Sequence, residues 1–97
     1  MKIVQRIMMK YRSRTEIAAM ILESTRTGST KTKIMYKAYL SYSQVQEYLK
    51  FLQESDLLTY ENGTQLYRPT EKGLKFLNLS YELNEMAILN PSKNYHV

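Results

Sequence analysis

The sequence predicts a mainly α-helical chain with one small β-hairpin, and three observations between Ser41 and Gly73 carry that prediction. Val45, Tyr48, Leu49 and Leu52 recur at i, i+3, i+4 and i+7, which gathers them on one buried face and leaves Ser43, Gln46, Glu47 and Lys50 facing outward. Ser41-Tyr42-Ser43-Gln44 matches a capping box and so starts this helix abruptly. Leu57-Leu58-Thr59-Tyr60 and Gln65-Leu66-Tyr67-Arg68 then flank Glu61-Asn62-Gly63-Thr64, where Asn-Gly suits the positive φ values of a type I′ hairpin turn.

The remaining elements follow from local signals. Residues Met1 to Tyr11 are basic and methionine-rich and read as an arm or an extension of the first helix. Ser13-Arg14-Thr15-Glu16 is a second capping box, so a helix begins near Arg14; Ile17, Ala18, Met20, Ile21 and Leu22 form its apolar stripe and Thr25 to Gly28 stops it. Ser29-Thr30-Lys31 leaves room for a minimal strand. A helix over about Thr32 to Tyr39 then buries Ile34, Met35 and Ala38 and keeps Lys31, Lys33 and Lys37 wet, with Leu40-Ser41 as the turn. After the hairpin, Thr70 caps a last helix that runs to Asn90 before Pro91, roughly 30 Å at 1.5 Å per residue.

That last helix is long for its domain and carries two apolar faces. Leu74, Leu77, Tyr81 and Ile88 share one stripe with Asn84 in register, and Phe76, Leu79, Leu83 and Met86 form the other. One face completes a core; two exceed what so small a domain can cover. The expectation is a homodimer through an antiparallel coiled coil at Leu74, Leu77, Tyr81, Asn84 and Ile88, where Asn84 either sets register or faces water. The domain plan is a basic arm over 1–12, a winged helix-turn-helix over 13–69, a dimerisation helix over 70–90 and a polar tail over 91–97.

Composition bounds the function. With 97 residues and 43% hydrophobic content the chain makes a single core. It has no cysteine, hence no disulfide framework or thiolate metal site, and no apolar run nears the roughly 18 residues that span a bilayer. A soluble, cytoplasmic, nucleoid-associated protein with no membrane partner is expected. The net charge of +5 is unevenly spread, +7 over residues 1–50 and −2 over residues 51–97. A polyanion-facing surface has this asymmetry, although solvated basic residues serving solubility share it.

Several stretches together resemble small archaeal winged-helix DNA-binding proteins, dimeric chromatin-associated proteins and predicted transcriptional regulators among them. The matching residues are Tyr11-Arg12-Ser13-Arg14-Thr15-Glu16-Ile17, Lys31-Thr32-Lys33-Ile34-Met35-Tyr36-Lys37-Ala38, Leu40-Ser41-Tyr42, Tyr48-Leu49 and Tyr67-Arg68-Pro69-Thr70-Glu71-Lys72-Gly73. The resemblance covers most of residues 11–77. It implies a winged helix with a long C-terminal helix that pairs two subunits, and double-stranded DNA as the ligand. Two departures stand out: the wing tip has an acid and no base, and Met1 to Met8 lie outside the match.

In that setting the recognition helix spans about 42–54. Ser43, Gln44, Gln46, Glu47 and Lys50 are the base-edge candidates, Gln suiting adenine and Glu the N4 of cytosine. Arg12, Arg14, Lys31, Thr32, Lys33, Lys37, Ser41 and Tyr42 are the phosphate candidates, which position rather than specify. Lys2, Arg6 and Lys10 are further cations in the arm, and the wing offers Asn62, Gly63, Thr64 and Gln65. Tyr36, Tyr48, Tyr67 and Tyr81 read as packing groups, Tyr39 and Tyr42 as exposed near the turn. The methionines read as core filler.

No enzyme is expected. The single histidine, His96, lies in the tail, there is no Gly-rich phosphate loop, and no carboxylate pair or His/Cys cluster suits catalysis or a metal, so neither cofactor nor small-molecule substrate is called for. The rival reading is a winged-helix protein-interaction module without DNA binding, using the apolar last helix; binding of single-stranded nucleic acid is a third.

Overall fold

A computed structural model describes residues 12–89. The arm residues Lys2, Arg6 and Lys10, the tail with His96, and the side chain of Ile88 lie outside the described residues. The order of elements is α1 (Arg14–Ser24), α2 (Lys31–Lys37), α3 (Tyr42–Glu54), β1 (Leu58–Glu61), β2 (Leu66–Pro69) and α4 (Glu71–Leu89).

Helix starts follow the local chemistry. Ser13 Oγ accepts the Glu16 N–H while Glu16 Oε1 accepts the Ser13 N–H, at 3.1 and 2.8 Å. The same reciprocal pair joins Ser41 and Gln44 at 3.2 and 2.9 Å. Each box satisfies two amides that the first turn leaves without intrahelical acceptors. Thr30 caps α2 through the Lys33 N–H. Thr70 accepts the Gly73 N–H at 2.9 Å and donates to the Asp56 carbonyl at 2.7 Å, which ties the start of α4 to the end of α3.

Helix ends use a left-handed residue. After α2, Tyr39 (φ 56°) lets the Leu40 N–H reach the Met35 carbonyl and the Tyr39 N–H reach the Tyr36 carbonyl; after α3, Asp56 (φ 63°) does the same for Leu57 to Leu52 and Asp56 to Gln53. Both are Schellman ends built without the usual glycine. They turn Leu40 and Leu57 back into the core, where both are buried.

The core joins Ala18, Ile21 and Leu22 of α1, Ile34 of α2, Val45, Tyr48, Leu49 and Leu52 of α3, and Leu58 and Leu77, with Ala38, Leu40 and Leu57 from the connections. Thr25, fully buried, donates its hydroxyl to the Leu22 carbonyl at 2.9 Å. No buried side-chain nitrogen or oxygen lacks a partner among the described residues. Tyr36 is corrected from packing group to surface residue, 72% exposed, because Ile34 and Ala38 take the inward face of a seven-residue helix.

The hairpin differs from expectation in its turn. Tyr60 pairs with Tyr67 and Glu61 with Leu66, so the loop is the four residues 62–65, closed by the Gln65 N–H on the Glu61 carbonyl at 2.7 Å. Gln65 is the left-handed residue (φ 60°), and Gly63 has no positive φ. The type I′ turn at Asn62-Gly63 is therefore not formed. A two-residue loop would pair Glu61 with Thr64 and place Gln65 opposite Tyr60. Tertiary pairing selects the other register: Tyr67 exchanges both backbone bonds with Ser29, at 3.1 and 2.8 Å, making Ser29 the minimal third strand. With its polar groups spent on Ser29, Tyr67 faces Tyr60 as a non-hydrogen-bonded pair, ring centroids 4.7 Å apart. Pro69 stands two residues further along the same alternation, where no N–H is needed toward Leu58.

Helix α4 seats only its first half. Gly73 and Leu77 are buried and Phe76 is partly so, whereas Leu79, Leu83 and Met86 are 53%, 64% and 60% exposed. This corrects one expectation: Leu77 is wholly enclosed by its own chain and cannot lie in a dimer seam. Tyr81, expected to pack, is 41% exposed and donates its hydroxyl to Glu23 of α1. Leu74 is at the margin of the same seat and Asn84 is exposed.

Candidate nucleic-acid interface

Helix α3 is fixed from behind and open in front. Val45, Tyr48, Leu49 and Leu52 are buried; Tyr42, Ser43, Gln46, Glu47 and Lys50 are exposed. The helix is thus held in place by residues other than those it presents. Gln44, a base-edge candidate, is committed to the capping box through its Oε1, and helical geometry carries it away from the outward centre around Ser43, Glu47 and Lys50. The Ser41 hydroxyl, a phosphate candidate, is the other half of that box.

The basic candidates divide into those the fold employs and those it leaves free. Arg12 turns inward: Nη2 donates to the Tyr39 carbonyl at 3.0 Å and Nη1 to the Ala38 carbonyl, at the end of α2. Carbonyls at a helix C-terminus lack intrahelical N–H donors, and positive charge is favoured there. Arg12 therefore holds the turn between α2 and α3, a role the sequence reading did not assign to it. Arg14 lies over the rings of Tyr48 and Phe51, 5.3 and 5.0 Å from their centroids. A cation on an aromatic face keeps its in-plane N–H groups available at the edge.

Lys31 also differs from the simple expectation. Its Nζ donates to Gln46 Oε1 at 2.8 Å and lies 4.9 Å from the centre of the Tyr42 ring, binding the first residue of α2 to two residues of α3. Lys33, Lys37 and Lys50 are exposed, and the side chains of Lys33, Lys37, Lys50 and Thr32 have no hydrogen bond or ion pair to another described residue. A shallow groove lined by Lys31, Gln46, Leu49, Lys50, Gln53, Glu54 and Tyr67 runs from α3 to the hairpin.

The acid of the wing is paired with a base. Glu61 accepts from Thr64 Oγ1 at 2.7 Å and from Arg68 Nε at 2.9 Å, and these bonds hold its carboxyl below the ordinary carboxylate range, Thr64 contributing most. Arg68 in turn lies against the backbone of Gly28 (φ 95°), where even a Cβ would come within 3.1 Å of the guanidinium. Asn62, Gly63, Thr64 and Gln65 are exposed at the tip. The pairing of Glu61 with Arg68 was readable in the strand spacing, but only after the register was known.

Among the described residues no group of three or more His, Cys, Asp or Glu side chains is placed to hold a metal ion, and no helix is long and apolar enough to cross a membrane.

Comparison with known proteins agrees with this geometry. A structure similar to this chain is the crystal structure of Sso10a-2, a DNA-binding protein from Sulfolobus solfataricus: 26% identity, 86% of this chain and 90% of that chain covered, TM-score 0.72. A search of curated protein sequences finds no match. The winged helix-turn-helix family matches residues 11–88, which runs from before the capping box of α1 to the penultimate residue of α4. With three helices, a two-stranded wing and a following helix in that order, this chain belongs to the winged helix-turn-helix family.

Proposed function

We propose that this chain is a non-enzymatic protein that binds double-stranded DNA as a homodimer, with one α3 per subunit in a major groove. The observation that carries the reading is the division of labour on α3: four buried residues hold it, and Ser43, Gln46, Glu47 and Lys50 project from it, while Lys33 and Lys37 are exposed and Arg14 lies on the rings of Tyr48 and Phe51. Arg14, Lys33 and Lys37 take phosphates, Thr32 and Tyr42 add neutral donors, and the outward residues of α3 meet base edges. The wing contributes Asn62, Thr64, Gln65 and backbone groups. DNA binding by the similar Sso10a-2 supports the same assignment.

The subunits pair through α4. Its exposed Leu79 and Leu83 are four residues apart and continue the heptad line from Phe76, so the seam uses this stripe in place of the one occupied by the domain's own core. Residues 13–69 then form the DNA-binding unit and 70–90 the pairing helix, flanked by a basic arm over 1–12 and a polar tail over 91–97. Such a dimer presents two recognition helices to one duplex or one to each of two, which suits a nucleoid-associated chromatin protein or a transcriptional regulator.

The test is the affinity of the purified chain for a random-sequence duplex across a salt series. Tight binding with a steep negative slope of log K against log salt is expected. Absence of binding at low salt refutes the reading.

A further inference from the structure

Lys31 fixes which end of the Gln46 amide faces outward. Its Nζ lies 2.8 Å from Gln46 Oε1 and 3.5 Å from the Tyr42 hydroxyl, with the Tyr42 ring 4.9 Å away. An ammonium has only donors, so the atom it meets is the amide oxygen. The amide NH2, with its two donors, is left without a partner among the described residues on an exposed side chain. An unconstrained Gln in a major groove matches adenine, because its oxygen accepts from N6 while its nitrogen donates to N7. Here that match requires the oxygen to leave Lys31. What Lys31 and Gln46 present together is a donor-only surface, and the donor-only surface complements guanine, whose major-groove edge offers two acceptors, N7 and O6.

We infer that Lys31 is a positioning residue for base selection: it holds Gln46 as a donor, so that α3 selects guanine over adenine at the base pair facing Gln46. The Tyr42 ring keeps the ammonium in place, and the attachment is remote in sequence, fifteen residues from Lys31 to Gln46. The inference rests on the DNA binding proposed above. A charge-assisted hydrogen bond at an exposed site sets the preference at about 3- to 10-fold.

The experiment is selection from a random-sequence duplex library with the full chain, followed by sequencing of the retained duplexes. Wild type, Gln46→Ala, Lys31→Met, Lys31→Arg and Lys33→Met are compared. One position is expected to favour guanine in wild type, to become indifferent with Gln46→Ala, and to shift toward adenine by about 3- to 10-fold with Lys31→Met. Lys31→Arg, still a donor, retains guanine, and Lys33→Met weakens binding without changing the base profile. Equal weakening on all sequences by Lys31→Met with the profile intact overturns the inference and makes Lys31 a phosphate contact. A flat or adenine-favouring wild-type profile, or a profile blind to Gln46→Ala, also overturns it while leaving DNA binding standing. Retention of no duplex by wild type sinks the DNA-binding reading and this inference with it.

Discussion

Replacing Gly73 with Ala sets two effects of opposite sign against each other, and the structure says which wins. In an exposed helix interior the change is favourable by about 1 kcal/mol, since Ala has the higher helix propensity. Gly73, however, is where α4 rests on the connection between α3 and β1. A Cβ there would collide with the Leu57 carbonyl oxygen, while standing 3.1 Å from its carbon and 3.4 Å from Leu22 Cδ2. The carbonyl cannot simply retreat: it accepts the Thr70 N–H at 3.1 Å, and the Leu57 N–H is already bound to Leu52 at 2.9 Å. Relief requires α4 to lift off, opening contacts of fully buried Leu77. Overpacking of this kind costs about 1–3 kcal/mol, and a weakened Thr70 bond about 1 more. The balance is a net loss of about 1–3 kcal/mol, a fall in Tm of very roughly 4–20 °C for a domain of this size. Thermal unfolding at fixed protein concentration reads it, because the dimerisation proposed above would make Tm concentration-dependent. A Tm equal to or above wild type would show that propensity wins and that α4 is not seated as described.

Two further outcomes follow from α4. Leu83→Glu, at a side chain 64% exposed, leaves monomer folding within about 0.5 kcal/mol but puts a charge in the proposed seam; sedimentation is expected to show monomer where wild type is dimer, and an unchanged dimer rejects the seam. The Tyr81 hydroxyl and Arg26 both stabilise ionised Glu23, the Tyr81 bond most, so its folded pKa lies below the ordinary 4.5. A depressed carboxyl contributes stability above its unfolded pKa and loses it as pH falls from about 4.5 through the folded value. Tyr81→Phe is therefore expected to reduce the acid-induced fall in Tm below that pH; an identical pH profile would dismiss the link between α1 and α4.

The parts of this fold that the sequence made legible are those set within a few residues. Both capping boxes form as Ser13 with Glu16 and Ser41 with Gln44 predict, because their partners are three positions apart. The buried stripe of α3 is likewise a matter of helical spacing. What escaped depended on distant chain. The hairpin register is decided by Ser29 pairing with Tyr67, and Asn62-Gly63, a strong local turn signal, gives way to it. The stripe of Leu77 and the stripe of Leu79 are both apolar, and only the packing of α4 on α1 shows which of them enters the core. Among the interface candidates, Lys31 and Arg12 look like any other cations until their acceptors, on α3 and at the end of α2, come within reach.

That sorting of cations changes what a salt titration should find. Each phosphate neutralised on a duplex contributes about 0.9 to the slope of log K against log salt. If all basic residues near the motif met phosphates alike, Arg12→Ala and Lys33→Ala would flatten the slope equally. Arg12 is instead spent on the Tyr39 and Ala38 carbonyls, whereas the Lys33 side chain is exposed and bonded to no described residue. Lys33→Ala and Lys37→Ala are therefore each expected to flatten the slope by up to about 0.9 per subunit with Tm nearly unchanged. Arg12→Ala should leave the slope alone and lower stability by about 1–3 kcal/mol, the cost of removing charged donors from carbonyls at a helix end. Its affinity falls only through the fraction of molecules whose α2–α3 turn has loosened, and that loss shifts all salt concentrations together. A flattened slope with Arg12→Ala, at unchanged Tm, would return Arg12 to the phosphate-contacting set and refute the division between cations that build the motif and cations that face the ligand.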